Sequence, residues 1–169
     1  YDEAAPVNPL SVYAETKAQA EQLVLANPRH TVVRTSLNGG RSPTGDRGFN
    51  EKICTALAAG QSLSLFTDEF RCPIAAEVTA RALWELVAQD RPGLYHLAGS
   101  ERLSRWQIGQ LLAARQPEWQ ARLQPGSLQQ YQGAPRPPDT SLNCVKLQKR
   151  LSFPLPRFSQ WLAEHPQAW

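Results

Sequence analysis

The sequence predicts an α/β fold built on a largely parallel β-sheet. Thr31–Thr35 is a short β-branched segment that follows a helical stretch, as expected of a buried strand. Gly93–Leu97 follows a second helical stretch in the same way, and residues 62–66 alternate between polar and apolar side chains. Strands that alternate with helices along a chain favour parallel pairing, because each helix returns the chain to the same edge of the sheet.

The first predicted helix covers residues 11–26. Ala, Glu, Gln and Lys dominate this stretch, Asn27-Pro28 ends it, and Leu23 and Val24 are its expected apolar anchors. A second helix is expected to run from Phe49 to about residue 59, because Gly60 is a typical helix stop.

Capping residues and apolar periodicity predict the remaining helices. Ser104 is a cap for residues 105–114, Asn143 is a cap for a short helix to about residue 151, and residues 158–162 form the last helix. The helix over residues 77–88 is expected to turn one apolar stripe to the core. This stripe comprises Val78, Ala82, Leu83, Leu86 and Val87. Trp84, Trp106 and Trp161 are interpreted as packing residues.

The connecting segments are predicted to be irregular. Residues 1–10 and the Gly-rich residues 38–48 are expected to be loops, and residues 67–73 a polar turn. Residues 116–141 are rich in Pro and Gln and are expected to be mostly irregular. The predicted strands are few for an independent parallel sheet of usual size.

Composition excludes several classes of function. The chain has 18 basic and 15 acidic residues, a net charge of +3, and no run of Lys or Arg that would suggest nucleic-acid binding. No apolar run is long enough to span a membrane. Cys54, Cys72 and Cys144 lack ligand-like spacing and are expected to be reduced thiols in the cytoplasm. The three histidines form no metal-binding pattern, so no metal site is predicted.

Tyr13 and Lys17 are the strongest candidates for chemistry. On a helix their i, i+4 spacing places both side chains on one face, one turn apart. An ammonium favours the ionised form of a neighbouring phenol, which can then exchange a proton with a carbonyl oxygen. The same spacing also occurs on ordinary solvated helices, where such a pair contributes at most about 0.5 kcal/mol.

The segments around this pair resemble the extended short-chain dehydrogenases/reductases, also called the NAD-dependent epimerase/dehydratase family. Tyr1-x-Glu3 precedes a Pro-Leu-x-x-Tyr-x-x-x-Lys-x-x-x-Glu run, and Val33-Arg-Thr-Ser36 resembles the strand after the catalytic helix. Asp68-Glu-Phe-Arg-Cys-Pro-Ile74, Gly93-Leu-Tyr-His-Leu-Ala-Gly99 and Arg136-Pro137 continue the likeness in the family's order. The likeness covers nearly the whole chain and is closest to the dTDP-4-dehydrorhamnose reductases.

The resemblance implies an oxidoreductase that uses NADP or NAD to reduce a nucleotide-linked 4-keto sugar. Tyr13 would be the general acid/base, and Lys17 would activate it and bind the nicotinamide ribose. The implied cofactor-binding residues are Tyr13, Lys17, Arg34, Thr35 and Ser36, and the implied substrate-binding residues are Leu37, Asn38, Arg71 and Arg136. Arginines in such polar turns are more often simply solvated, and Thr35 and Ser36 are equally consistent with simple strand termination. Leu37 stands where the rhamnose reductases usually carry a tryptophan, which leaves the sugar open.

The chain is expected to be the C-terminal part of such an enzyme. It contains no Met, no Gly-rich phosphate loop between a strand and a helix, and no upstream Ser/Thr partner for the tyrosine. Residues 1–60 would end a Rossmann-like nucleotide-binding domain, and residues 61–169 would form mainly a small α/β substrate-binding lobe, interleaved with the sheet around residues 75–90. The chain alone is expected to bind dinucleotide poorly.

Two other interpretations of the chain stay open. One is a non-catalytic regulatory or binding subunit that keeps the fold, and the other is an autonomous interaction module. If the chain is part of an enzyme, it is expected to lie in the cytoplasm and to bind a nucleotide sugar. Nucleic acid and membrane are not expected as partners, and a homodimer stays open.

Overall fold

The computed structural model describes residues 1–166, which form α-helices interspersed with short strands. The helices of the first two thirds are α1 (Val12–Leu25), α2 (Phe49–Ala58), α3 (Ala76–Ala88) and α4 (Arg105–Ala113). Shorter helices follow as α5 (Pro117–Gln120), α6 (Val145–Gln148) and α7 (Phe158–Glu164), with a 3₁₀ turn at Leu128–Gln130. The strands are β1 (Thr31–Thr35), β2 (Asn38–Gly39), β3 (Leu63–Phe66), β4 (Phe70–Arg71), β5 (Ile74–Ala75), β6 (Gly93–Leu97), β7 (Leu103–Ser104) and β8 (Leu123–Gly126).

The strands join in pairs, most of them parallel. β1 lies parallel to β6 over five residue pairs, from Thr31 opposite Gly93 to Thr35 opposite Leu97. β2 with β5 and β3 with β8 are also parallel, and only β4 with β7 is antiparallel among the described residues. The predicted α/β fold with a largely parallel sheet is confirmed.

Apolar packing occurs on both sides of these strands. One cluster joins the β1–β6 pair to α3 and α6 and contains Ile74, Ala82, Leu86, Tyr95, Leu97, Leu147 and Leu155. Two further clusters surround α4, whose Ile108 and Leu112 are fully buried. Phe158 of α7 and Leu57 of α2 pack into these clusters.

Local capping explains where the main helices begin. The Ser11 hydroxyl accepts a hydrogen bond from the Ala14 amide at 3.2 Å, which starts α1. Ser104 and Gln107 form a reciprocal capping box at the start of α4, with distances of 3.1 and 2.8 Å. The predicted helices agree with α1, α2, α3, α4 and α7 to within about two residues, which is the usual spread of helix boundaries.

The prediction that residues 116–141 are mostly irregular was wrong in its first half. This stretch contains α5, β8 and a 3₁₀ turn, and β8 pairs with β3 over four residues. The β8 sequence Leu-Gln-Pro-Gly has poor strand propensity, so only its tertiary partner makes it a strand. The expected turn at residues 67–73 likewise contains β4, and the expected loop at residues 38–48 begins with β2.

The helix after Asn143 is also shorter than predicted. α6 ends at Gln148 rather than near residue 151, and its N-cap residue is Cys144. The Asn143 side chain nevertheless accepts a hydrogen bond from the Val145 amide at 3.0 Å.

Several apolar residues that were expected to pack are exposed. α1 contains no buried residue, and its predicted anchor Leu23 is 78% exposed. On α3 the buried residues are Thr79, Ala82 and Leu86, whereas Trp84 is 74% exposed and Val87 is also exposed. Apolar character alone does not say which face of a helix meets the core. The packing prediction is confirmed for Trp161 and holds for Trp106, which lies against the α4 cluster.

The cysteines are free thiols, as the sequence predicted. Cys72 is buried, while Cys54 and Cys144 are half-buried, and burial raises the pKa of Cys144 to about 11. None of the helices formed by residues 1–166 combines the length and apolar character that crossing a membrane would require.

Candidate active site

The candidate site is a cleft of about 470 Å³ beside helix α1. The N-terminal segment around residues 5–10 forms one wall, α1 forms a second, and residues 137–142 form a third. The side chains of Tyr13 and Lys17 line this cleft together with Arg34 and His96. The sequence prediction that Tyr13 and Lys17 share one helix face is confirmed.

The two candidate catalytic side chains are open to ligands. Tyr13 is 73% exposed, and the Lys17 Nζ atom lies 5.6 Å from the centroid of the Tyr13 ring. Among the described residues the Lys17 ammonium forms no hydrogen bond or ion pair. A cation and a phenol are thus presented side by side to the cleft, and both polar groups are available to a bound molecule.

One stripe of half-buried residues on α1 faces the rest of the molecule. The half-buried positions Ala14, Ala18, Glu21 and Leu25 recur at helical spacing and form its inner stripe. Glu21 is the charged member of this stripe, and it lies one turn beyond Lys17 on the ridge that also carries Tyr13.

Glu21 forms a bidentate ion pair with Arg34 of β1. Arg34 Nη2 donates to Glu21 Oε1 at 2.6 Å, and Arg34 Nε donates to Oε2 at 2.8 Å. Arg34 Nη1 also lies 3.2 Å from Nε2 of His96 in β6. The hydrogen bond to Glu21 is the main reason that the pKa of Arg34 is raised above its usual value. The guanidinium therefore joins the helix to both strands of the β1–β6 pair.

His96 is fully buried beneath the cleft. Because a guanidinium can only donate, His96 Nε2 accepts from Arg34, and Nδ1 carries the proton toward the Tyr1 carbonyl oxygen at 3.2 Å. The His96 amide donates to Glu3 Oε1 at 2.9 Å. Burial lowers the pKa of His96, and repulsion from Arg34 acts in the same direction although the Glu3 carboxylate opposes it.

The buried neutral imidazole predicts a pH effect on stability. An unfolded chain protonates this histidine near pH ~6.5, but the folded chain resists protonation until lower pH. The free energy of unfolding is therefore expected to fall as pH drops below about 6.5, toward the lower pKa of the folded state. Urea unfolding across this range, followed by circular dichroism, measures the slope, and His96→Gln should flatten it. An unchanged slope in His96→Gln would show that other groups cause the effect.

Four predicted site residues lie at the end of β1 and directly after it, and three of them make contacts within the fold. The Ser36 hydroxyl accepts from the Cys72 amide at 3.2 Å, and Asn38 Oδ1 accepts from the Thr79 hydroxyl at 2.6 Å. Leu37 packs against the α4 cluster, while Thr35 is exposed at the end of its strand. None of these four residues lines the cleft that contains Tyr13 and Lys17.

Arg71 and Arg136 meet at one buried carboxylate. Glu69 is 1% exposed and accepts from Arg71 Nη2 at 2.7 Å and from Arg136 Nη2 at 2.9 Å. Arg71 also donates to the Pro137 carbonyl oxygen at 3.3 Å, and Pro137 itself lines the cleft. Burial lowers the pKa of Arg71, whereas the Glu69 hydrogen bond raises that of Arg136, which is more exposed. The two predicted substrate-binding arginines are thus adjacent to the cleft rather than inside it.

Arg105 is a third guanidinium of this cluster, and the sequence interpretation missed it. Its amide donates to the Glu69 carbonyl oxygen at 2.9 Å, and its half-buried side chain makes no hydrogen bond within the described part of the chain. Burial lowers the pKa of Arg105, Glu69 opposes this shift, and repulsion from Arg71 and Arg136 adds to it. Glu69 faces three guanidiniums, and the nearby Asp139 carboxylate is paired with Arg102, so the cluster carries excess positive charge beside the cleft.

Sequence reasoning also missed Glu21 and His96 as parts of the site. The sequence pattern could have indicated Glu21, since it continues the Tyr13–Lys17 spacing by one further turn. No sequence pattern indicates His96, because only the parallel β1–β6 register places it opposite Arg34. No group of three or more potential metal-binding side chains occurs among residues 1–166.

The fold is an α/β arrangement with mostly parallel strand pairs, and a Tyr/Lys helix lies beside its cleft. The chain belongs to the RmlD substrate binding domain family, whose model matches residues 1–168. This result confirms the resemblance to extended short-chain dehydrogenases/reductases that the sequence motifs indicated.

Individual relatives agree with the family. A dTDP-4-dehydrorhamnose reductase of Sinorhizobium fredii is 27% identical over 95% of this chain and 57% of its own length. A crystal structure of a hypothetical dTDP-4-dehydrorhamnose reductase from Sulfolobus tokodaii superposes with a TM-score of 0.79, at 26% identity over 92% of this chain and 54% of that one. The Bacillus anthracis enzyme, solved in complex with NADP, shares the fold with a TM-score of 0.84 at 18% identity, over 97% and 58% of the two chains. The chain therefore spans a little more than half the length of these relatives.

Proposed function

We propose that the complete protein reduces a nucleotide-linked 4-keto sugar with NADPH or NADH, as a dTDP-4-dehydrorhamnose reductase does. The observation that carries this proposal is the pairing of Tyr13 and Lys17 on one ridge of α1, both facing the same open cleft. Relatives named as such reductases support the choice of reaction, and NADP in one of them supports the choice of cofactor.

The residues that line the cleft fit the nicotinamide and ribose end of such a cofactor. The Lys17 ammonium, which has no hydrogen-bond or ion-pair partner among residues 1–166, is a donor for ribose hydroxyl groups. The Pro9, Pro137 and Pro138 walls of the cleft are apolar enough to accept a flat ring. A bound nicotinamide would supply the hydride. Nothing in residues 1–169 resembles a Gly-rich phosphate loop, so we propose that the rest of the dinucleotide binds outside this chain.

Within this chain, Tyr13 would donate the proton that the reduced carbonyl oxygen acquires. Its hydroxyl is exposed to the cleft, so a sugar oxygen can reach it without movement of the helix. Lys17 would hold the ribose and favour negative charge on the oxygen of Tyr13 during the transfer. Arg34, Thr35 and Ser36 remain proposed neighbours of the cofactor, and Arg34 would act there through its contact with α1.

The substrate is proposed to extend from the cleft toward residues 136–142. Arg71, Arg136 and Arg105 provide the excess positive charge that would attract a diphosphate group, while Leu37 and Asn38 would lie toward the sugar. We further propose that residues 1–60 complete a cofactor-binding domain and that residues 61–169 form mainly the substrate lobe, with β6 returning to pair with β1.

Two measurements test this function. The complete protein should oxidise NADPH or NADH when a dTDP-4-keto-6-deoxy sugar is supplied, as followed by absorbance of the reduced cofactor. In calorimetric titration, the 169-residue chain alone should show no NADPH binding in the micromolar range. Micromolar binding by the chain alone would contradict the division of the cofactor site. Absence of turnover with intact cofactor binding would favour the non-catalytic subunit instead.

A further inference from the structure

Within this chain, which spans little more than half the length of its relatives, α1 carries both candidate catalytic side chains and has little apolar packing. No residue of this helix is buried, and its apolar side chains Val12, Leu23 and Val24 are exposed. The half-buried residues that face inward are Leu25, Glu21 and two alanines, and an alanine buries little apolar area. Packing within the described chain therefore does little to fix the position of the helix along its axis or about it.

The Glu21–Arg34 ion pair supplies a directional contact at the same place. Its two parallel hydrogen bonds, at 2.6 and 2.8 Å, fix both the distance and the orientation of the carboxylate. The two side chains are only 17% and 23% exposed, so water screens the pair much less than it screens a surface pair. The carboxylate lies one turn from Lys17 and two turns from Tyr13 on the same ridge.

Arg34 is itself held on its far side. His96 accepts from Nη1 of Arg34 and is fixed in turn by the Tyr1 carbonyl oxygen and by the Glu3 carboxylate. Because a guanidinium is planar, fixing Nη1 on a buried imidazole also fixes the direction in which Nε and Nη2 meet Glu21. A continuous polar chain thus runs from the N-terminal segment through β6 and β1 to the catalytic helix.

We propose that Glu21, Arg34 and His96 are positioning residues that hold the catalytic helix on the β1–β6 pair. They keep the Tyr13 and Lys17 side chains in the orientation that the proposed reaction needs. None of the three needs to touch the substrate in this role. The inference rests on the proposed function, since positioning has a catalytic meaning only if Tyr13 and Lys17 act in catalysis. In this proposal the main role of Arg34 is to hold α1 in place, not to bind the cofactor.

The test compares two charge-removing substitutions on the same helix in the complete protein. Glu21→Gln keeps the size of the side chain but loses the charged half of the pair, and Glu15→Gln is the matched control at an exposed position of α1. Glu21→Gln is expected to lower kcat about tenfold and to change KM less than about twofold, because misplaced catalytic groups slow the chemistry more than they weaken binding. Glu15→Gln should match the unaltered protein in both constants.

A second pair of variants separates positioning from simple loss of folded protein. Arg34→Lys keeps one donor to Glu21, and Arg34→Gln keeps no charge, so kcat should fall less in the first than in the second. If Glu21→Gln or Arg34→Gln lowers only the melting temperature, with kcat per folded enzyme unchanged at 25 °C, the proposal is wrong.

Hydrogen exchange gives a readout that does not depend on turnover. In the complete protein, Glu21→Gln should speed amide exchange across residues 15–25 by about tenfold relative to Glu15→Gln, because the helix opens more often without its ion pair. Faster exchange in Glu21→Gln, together with a wild-type protein that shows no turnover, would support the Glu21–Arg34 anchoring of α1 and reject the proposed function. Equal exchange in the two variants would reject the anchoring of α1 by this ion pair.

Discussion

Tyr13→Phe is expected to lower kcat of the complete protein by about 10²–10⁴-fold, the usual contribution of a general acid. The substitution removes one hydroxyl from a side chain that is 73% exposed, so the folded structure should not change. KM for the sugar nucleotide should change little, since most of its contacts lie elsewhere in the cleft. Steady-state kinetics with the reduced cofactor and a dTDP-4-keto-6-deoxy sugar measure both constants.

A matched control removes the same hydroxyl from a tyrosine outside the cleft. Tyr95 lies in the core of the β1–β6 pair and is not part of the cleft lining, so Tyr95→Phe should retain kcat. Unchanged kcat in Tyr13→Phe would place the proton donor on another residue.

Glu69→Gln is expected to lower the free energy of unfolding by about 3 kcal/mol. Glu69 is 1% exposed and faces the guanidiniums of Arg71, Arg136 and Arg105, which would repel one another without its charge. The expected loss is near the lower end for breaking a buried ion pair, because Arg136 is 35% exposed and water screens part of its charge. Urea unfolding at neutral pH measures the difference.

An exposed carboxylate provides the comparison for this experiment. Glu118 in α5 is exposed, and Glu118→Gln should change stability by no more than about 0.5 kcal/mol. If Glu69→Gln changes the free energy of unfolding by as little as Glu118→Gln does, the arginine cluster makes no net contribution to stability. That result would favour a site in which the arginines reorganise around an anionic ligand.

The catalytic pair could be predicted because its geometry is local. Tyr13 and Lys17 need only a helix to come together, and Ser11 with the Ala-rich run that follows is sufficient to predict that helix. The arginine cluster was predicted only in part, because Arg71 and Arg136 meet through Glu69 across 67 residues of chain. Arg105 joins them because β7 pairs with β4, a short antiparallel contact that no propensity indicates.

The burial of helix faces shows the same limit. Trp84 and Leu23 are apolar residues of correctly predicted helices, yet both are exposed in this chain, because helical spacing tells which residues share a face and not which face packs. β8 became a strand despite a Pro and a Gly, since pairing with β3 outweighs weak propensity.

The sequence by itself determined the fold class, the long helices and the presence of the Tyr13–Lys17 pair. These depend on local propensity, capping and helical spacing, which act within a few residues. The tertiary structure decided what surrounds the pair. The parallel register of β1 and β6 places His96 beside Arg34, and Arg34 reaches Glu21 on the ridge of the catalytic helix. Such contacts join side chains that are distant in sequence, so only the complete packing of strands and helices specifies them.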